Sequence, residues 1–219
     1  QVEPDLEKFT ASNLVGSLNL LNSAVKYNVK NIILISTINV YGENNDLASK
    51  ENDVLSPKSN YGVIKMMNEK LYEHFSKLYG INVTILRLSG VYGPGKIKGF
   101  FPQMINAISD KTITLRPYNY GNQLRDFIYV DDAIDGIIKS INKNFSGFNI
   151  FNICSSKLYS IKEIISITEK LANSHISVEY NSEKFDEKCL WGDNSKAKLK
   201  LNFEPKISLN SGIKKILDK

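Results

Sequence analysis

The sequence predicts an α/β fold built on a parallel sheet, and three observations carry that expectation. Short apolar runs rich in β-branched residues alternate with longer segments of helical periodicity. The runs are apolar at consecutive positions, the pattern of strands covered by helices on both faces. A helical segment also separates the first two runs, which is the β-α-β order of parallel neighbours joined by a crossover.

The elements follow in order. Residues 5–28 read as a helix: Pro4-Asp5 opens it, and Leu6, Phe9, Leu14, Leu18, Leu21 and Val25 recur at helical spacing. Residues 31–36 form a short buried strand with polar flanks, and the polar stretch 43–59 is a surface loop closed by Pro57. A second helix spans 60–79, with Gly80 as its stop. A second buried strand covers 82–88. Beyond Leu88 the pattern loosens into a Gly-Pro-rich loop at 89–99, a helix near 101–109 and strands near 112–115 and 126–130. A helix at 131–142, a strand at 148–153 and a helix at 160–173 follow, then short helices near 194–200 and 208–218.

Composition excludes several classes. No apolar run reaches the roughly 20 residues of a membrane-spanning helix, and no secretory signal pattern opens the chain. The formal charge is +5, yet only three of the 28 basic residues are arginines, at 87, 116 and 125. Lysines scattered among Asn and Ile describe solvated helix faces, not a nucleic-acid groove. Cys154 and Cys189 lack metal-ligand or disulfide-scaffold spacing and read as buried small side chains in a reducing, cytoplasmic setting. His74 and His175 read as surface residues. Met66, Met67, Leu71, Phe75 and Leu78 read as helix core or as the face of a helix-bundle dimer.

A tyrosine and a lysine four apart on a helix share a face, so an ammonium can sit near a phenol and favour phenolate. Three such pairs occur: Tyr61/Lys65, Tyr92/Lys96 and Tyr180/Lys184. Tyr92 lies in Gly-Pro loop sequence and Tyr180 in a polar segment without a supporting strand. Tyr61 instead opens a helix after the strand ending at Ser36-Thr37, and strand ends are where open parallel sheets bind ligands.

Around these residues the sequence resembles a known family. Ile35-Ser-Thr-Ile-Asn-Val-Tyr-Gly42, Tyr61-Gly-Val-Ile-Lys65, Leu86-Arg-Leu-Ser-Gly-Val-Tyr-Gly-Pro-Gly95 and Arg125-Asp-Phe-Ile-Tyr-Val-Asp-Asp132 are similar to motifs of the extended short-chain dehydrogenases/reductases, nearest the nucleotide-sugar epimerases and dehydratases. Asn13-Leu-Val-Gly-Ser17, Trp191 through Ala197 and Pro205 through Gly212 extend the likeness along the chain. The resemblance implies the C-terminal part of a Rossmann-type doubly wound parallel sheet plus a smaller α/β substrate-binding lobe. Residues 1–95, with part of 125–153, would belong to the dinucleotide-binding part, and 96–219 mainly to the lobe.

Carried over by position, Tyr61 would be the acid/base for a sugar hydroxyl. Lys65 would hold the nicotinamide ribose and keep the Tyr61 pKa low, and Thr37 would hydrogen-bond the reacting oxygen. Ser36, Asn13, Gly90 and Val91 would border the cofactor, NAD or NADP. Arg125 would contact the substrate diphosphate, its alternative being a salt bridge with Asp131 or Asp132. Phe100 and Leu115 would line the nucleotide base or belong to the core, and Lys184 would stand in for a second arginine. The resemblance further implies a cytoplasmic enzyme that is a homodimer through helices 5–28 and 60–79 and acts on a nucleotide sugar, without nucleic-acid or membrane partners.

Departures from the family's pattern sharpen these expectations. The glycine-rich pyrophosphate turn has no counterpart: Gly93-Pro-Gly-Lys-Ile-Lys-Gly99 has the wrong spacing, and Pro94 removes a donor. By family comparison roughly 80–90 residues of the first half of the domain are missing ahead of Gln1. The isolated chain is therefore expected to be inactive, poorly stable and weak in binding NAD. Gly90 replaces a common Asn, and Glu183 stands where an arginine is usual. Ile38-Asn39 replaces the Asp-Glu pair of the dehydratases, which favours epimerisation, expected at carbon 4 of the sugar, or simple oxidation–reduction over dehydration. A reductase or dehydrogenase of another carbonyl or sugar, and a non-catalytic nucleotide-binding or scaffold protein, are the alternatives.

Overall fold

The computed structural model describes residues 6–43, 47–183 and 189–218. Its central feature is a parallel sheet of β1 (Asn31–Thr37), β2 (Asn82–Leu88) and β5 (Phe148–Ile153), in the order β1-β2-β5. The register runs Thr37 against Leu88 and Leu88 against Ile153, so the carboxyl ends of the three strands are level. Among the described residues β1 is paired on one side only.

Both faces of this sheet are covered. Val83 and Ile85, with Ile32, Leu34 and Ile150, pack under Leu21 and Ala24 of α2 (Gly16–Lys26) and Tyr72 and Phe75 of α3 (Asn60–Tyr79). The alternate residues Leu86, Leu88, Phe151 and Ile153 meet Ala133 of α5 (Val130–Ile141) and Ala197 and Leu201 of α7 (Ser195–Leu201). Period-two alternation along each strand thus feeds two cores, which is why the runs read as continuously apolar.

A second sheet is built on β4 (Leu124–Tyr129). It pairs in parallel with β3 (Gly90–Tyr92) and β7 (Cys189–Leu190), and antiparallel with β6 (Leu158–Ser160). Its core is aromatic and aliphatic, with Tyr92, Phe101, Met104, Tyr129, Ile164 and Ile213 drawn from β3, β4, α4 (Phe100–Ser109), α6 (Ile161–Ala172) and α8 (Leu209–Leu217). Tyr92 stacks on Phe101 at 4.4 Å between ring centroids. A Cβ at Gly212 would stand 2.2 Å from the Tyr92 hydroxyl, so glycine is required where α8 crosses that ring.

The structure corrects four expectations. The helix 5–28 is α1 (Leu6–Thr10) and α2 joined by a π-helical turn at Ala11–Val15. There Asn13 Nδ2 donates to the Phe9 carbonyl at 3.0 Å. No strand forms at 112–115; only Leu115 bridges Val178. Asp110 accepts from the Thr112 N–H and hydroxyl, at 2.9 and 2.7 Å, and folds that segment into a turn. The loop 89–99 contains β3, whose partner Phe127–Tyr129 is distant in sequence. The strand at 126–130 begins earlier, at Leu124, because Leu124 and Arg125 pair with both β6 and β7.

Candidate active site

The site is assembled at the carboxyl end of β1, where chain direction and side-chain chemistry change together. Thr37 ends the strand in extended conformation and caps the following short 3-10 turn, Ile38–Val40. Its hydroxyl accepts from the Asn39 N–H at 3.3 Å and donates to Asn39 Oδ1 at 3.1 Å. The chain returns through Pro57 to Ser59, whose hydroxyl accepts from the Gly62 N–H at 3.1 Å and caps α3. That cap fixes Tyr61 in the first helical turn.

Gly62 explains how close the two segments come. A Cβ there would lie 2.7 Å from the Asn39 carbonyl oxygen and 2.8 Å from the Pro57 Cβ. Without a side chain, α3 can press its first turn against the turn that carries Thr37. This sets the Tyr61 phenol near the Thr37 hydroxyl, which draws the phenol pKa down. The Phe9 ring packs on Tyr61 at 5.5 Å between centroids, so α1 walls the other side.

Lys65 follows one turn later on the same face, half-buried, and its Nζ donates to the Ile35 carbonyl at 3.3 Å. Burial pulls the Lys65 pKa below that of an ordinary lysine, and the Glu69 carboxylate works against that pull. Burial raises the Tyr61 pKa, and the nearby Thr37 side chain opposes that rise. Loss of water outweighs other influences on Tyr61, and the ammonium is bound to a backbone oxygen.

The remaining predicted residues fall into distinct places. Ser36 is buried and its hydroxyl donates to Glu69, so it faces the interior behind the site. Asn13 sits in the π-turn bonded to the carbonyl of Phe9, the residue that packs on Tyr61. Gly90 begins β3 just past the end of β2, and a Cβ there would strike the Phe127 ring at 2.6 Å. The Val91 carbonyl accepts from Lys96 Nζ at 2.6 Å. Phe100 opens α4 and packs against the second core, in which Leu115 is 5% exposed. Arg125 is partly buried in β4, its Nη1 2.9 Å from the Leu124 carbonyl. Asp132 accepts instead from the Lys206 and Ile207 N–H groups at 3.0 and 2.8 Å, and Asp131 faces Lys215. Lys184 lies outside the described residues.

Sequence reasoning missed Glu69, saw Arg87 only as a rare arginine, and read Asn39 only as a departure from the dehydratases. Glu69 and Arg87 form a buried ion pair, each 2% exposed, with Arg87 Nη2 2.6 Å from Glu69 Oε2. The available signals were Glu69 at two helical turns from Tyr61 and a charge inside the apolar run of β2. His175, exposed and paired with Glu169, and the two buried free cysteines are placed as expected. Among the described residues no group of side chains suits a metal ion, and no helix is long and apolar enough to cross a membrane.

A hydroxyl, a phenol and an ammonium thus gather at the carboxyl end of a parallel strand, the place where open α/β sheets bind ligands. The chain belongs to the NAD dependent epimerase/dehydratase family, whose model matches residues 3–154. It is 34% identical to a UDP-glucuronate 4-epimerase of Thermodesulfobacterium geofontis, over 96% of this chain and 65% of that protein. The structure of a UDP-glucuronic acid 4-epimerase from Bacillus cereus, in complex with UDP-glucuronic acid and NAD, is similar at a TM-score of 0.87. It is 31% identical, with 95% of this chain and 67% of that one covered. A UDP-glucose 4-epimerase of Thermotoga maritima with UDP-glucose gives a TM-score of 0.89 at 28% identity, covering 98% and 71%. The chain thus spans about 65% of the length of the curated relatives it matches.

Proposed function

We propose that the whole protein is an NAD-dependent nucleotide-sugar epimerase acting at carbon 4 of the sugar. The observation that carries this reading is the Thr37 hydroxyl set beside the Tyr61 phenol at the carboxyl end of β1, with Lys65 one turn away on the same helix face and bonded to the Ile35 carbonyl. The donor set suits the nicotinamide-ribose end of the dinucleotide: a phenol and an ammonium that can meet a diol. When bound, the dinucleotide supplies a reversible hydride acceptor.

This chain's residues do the rest. Tyr61 takes the proton of the sugar hydroxyl as that carbon is oxidised and returns it on reduction, which is general base and then general acid work. Thr37 holds the same oxygen, and Asn39 holds Thr37. Asn39 carries no acidic proton, so the position that would assist loss of a hydroxyl in a dehydratase cannot do so here. Lys65 binds the ribose. Arg125, at the start of β4, offers a planar set of donors to the substrate diphosphate, and Gly90, Val91 and Phe100 border the ligand.

The same proposal divides the chain into a dinucleotide-binding part, 1–95 with part of 125–153, and a lobe, 96–219, that holds the nucleotide sugar. It also includes a homodimer through the helical segments 5–28 and 60–79, supported by the exposed apolar side chains Val15, Leu18, Val63 and Met67. The test is to incubate the whole protein with NAD and a panel of uridine diphosphate sugars. Formation of the 4-epimer without net change in NADH absorbance is the expected result. Stoichiometric change in NADH would instead mark a reductase or dehydrogenase.

A further inference from the structure

Behind the site lies a chain of buried polar groups that the proton transfer does not use. Glu69 is at its centre. Its carboxylate accepts from the Ser36 hydroxyl, from Arg87 Nε at 3.0 and 3.2 Å to its two oxygens, and from Arg87 Nη2 at 2.6 Å. Arg87 Nη1 donates onward to the Tyr41 hydroxyl at 2.8 Å and the Glu51 carbonyl at 3.2 Å, and the guanidinium lies over the Tyr41 ring. Tyr41 in turn donates to Asn152 Oδ1 at 2.7 Å, and Asn152 is held by Glu51 Oε1 and the Ser49 carbonyl. The network joins α3 to β1, β2, β5 and the loop after β1.

Burying two charges carries a large desolvation cost, and an apolar pair of the same volume would serve stability at least as well. The placement accounts for the charges. Tyr61, Lys65 and Glu69 are spaced four apart on one face of α3, and Ser36 immediately precedes Thr37. Glu69 therefore ties the helix bearing Tyr61 and Lys65 to the strand residue next to Thr37. We propose that Glu69, anchored by Arg87, is a positioning residue: it locks α3, and with it Tyr61 and Lys65, in register with the end of β1.

Lys65 Nζ donates to the Ile35 carbonyl of β1, next in sequence to Ser36 and Thr37, and on its own helix Lys65 stands between Tyr61 and Glu69. Arg87 of β2 lies behind Glu69, and Tyr41 of the turn after β1 lies beyond Arg87. Of the charged groups in this cluster it is Glu69 that opposes the pull of burial on the Lys65 pKa. Removing it is expected to let Lys65 lose its proton at lower pH.

The inference rests on the proposed role of Lys65, but its test does not need turnover. Competitive acetylation of the whole protein across a pH series, read by peptide mass spectrometry, gives the titration midpoint of each lysine. Glu69→Gln is expected to lower the Lys65 midpoint by about half a unit or more and leave Lys139 unmoved. Glu69→Asp, which keeps the charge, is expected to restore most of that shift. Should Glu69→Gln not fold with Arg87 left unpaired, Glu69→Gln/Arg87→Met removes both charges and is expected to lower the midpoint as well. In an active preparation the same variants lower kcat more than they raise KM, and the alkaline limb of the pH profile moves down. An unmoved Lys65 midpoint in either folded variant overturns the inference. A moved midpoint with turnover indifferent to Tyr61→Phe would instead leave the inference standing and defeat the proposed reaction.

Discussion

The two sheets solve the same packing problem with different materials. Around β1, β2 and β5 the interior is apolar near the amino ends and carries Ser36, Glu69, Arg87 and Asn152 toward the carboxyl ends, each at most 4% exposed. Around β3, β4 and β6 the interior is rings and aliphatic chains, and its buried carboxylates accept mainly from backbone. Asp126 takes the Ser155 and Ser156 N–H groups, each at 3.0 Å, and Asp132 those of Lys206 and Ile207. A carboxylate held by backbone N–H groups fixes a loop, whereas one held by a guanidinium and a hydroxyl fixes one element against another. The charged pair occurs where three side chains from a strand and a helix must converge. The lobe around β4 has only to stay folded and present a surface.

This contrast can be broken by experiment, beginning with the largest effect. Arg87→Ala removes the guanidinium and leaves the Glu69 carboxylate buried without its partner. It is expected to cost about 3–5 kcal/mol in urea unfolding and to lower kcat in whatever folded protein remains. Met104→Ala, in the apolar core at 0% exposure, is expected to cost about 2–5 kcal/mol while leaving the pH dependence of turnover in place. If both variants moved the pH profile equally, the distinction between the two regions would fail.

The smallest effect belongs to a helix cap. Ser160 and Glu163 form a capping box at the start of α6, and their hydrogen bonds hold the Glu163 pKa below its ordinary value of 4.5. A carboxyl depressed on folding contributes stability above its unfolded pKa and loses it as pH falls through the folded one. Glu163→Ala is therefore expected to cost under about 1 kcal/mol at pH 7. The difference from the parent chain should shrink as thermal unfolding is followed below pH 4.5. A difference that stays constant with pH would assign the effect to helix propensity alone.

Much of the sheet and the central site was legible because the signals are local. Apolar runs bounded by polar flanks gave β1, β2 and β5, and Tyr61, Lys65 and Gly80 framed α3 in one stretch. What escaped depends on partners distant in sequence. β3, β6 and β7 are two or three residues long and exist because β4 is there to pair with them. The converse holds at 112–115, where an apolar alternation found no continuous partner. The Glu69–Arg87 pair was hidden for the same reason: each residue is unusual in its own element, but nothing in either element names the other. The burial of the Tyr61 phenol was not legible either, because spacing on a helix reports proximity, while loss of water around the phenol depends on the packing of Phe9 and the turn at Asn39.

The central claim is that Tyr61 carries the proton of the reacting hydroxyl. Its direct test is the pH dependence of kcat for the whole protein and for Tyr61→Phe, with uridine diphosphate sugars and NAD. Because burial raises the phenol pKa, turnover is expected to climb as pH rises above neutral. Tyr61→Phe is expected to lose that climb and at least about 100-fold in kcat, with KM changed little and the fold intact by circular dichroism. A Tyr61→Phe protein that turns over as fast as the parent, with the same pH profile, would contradict the account.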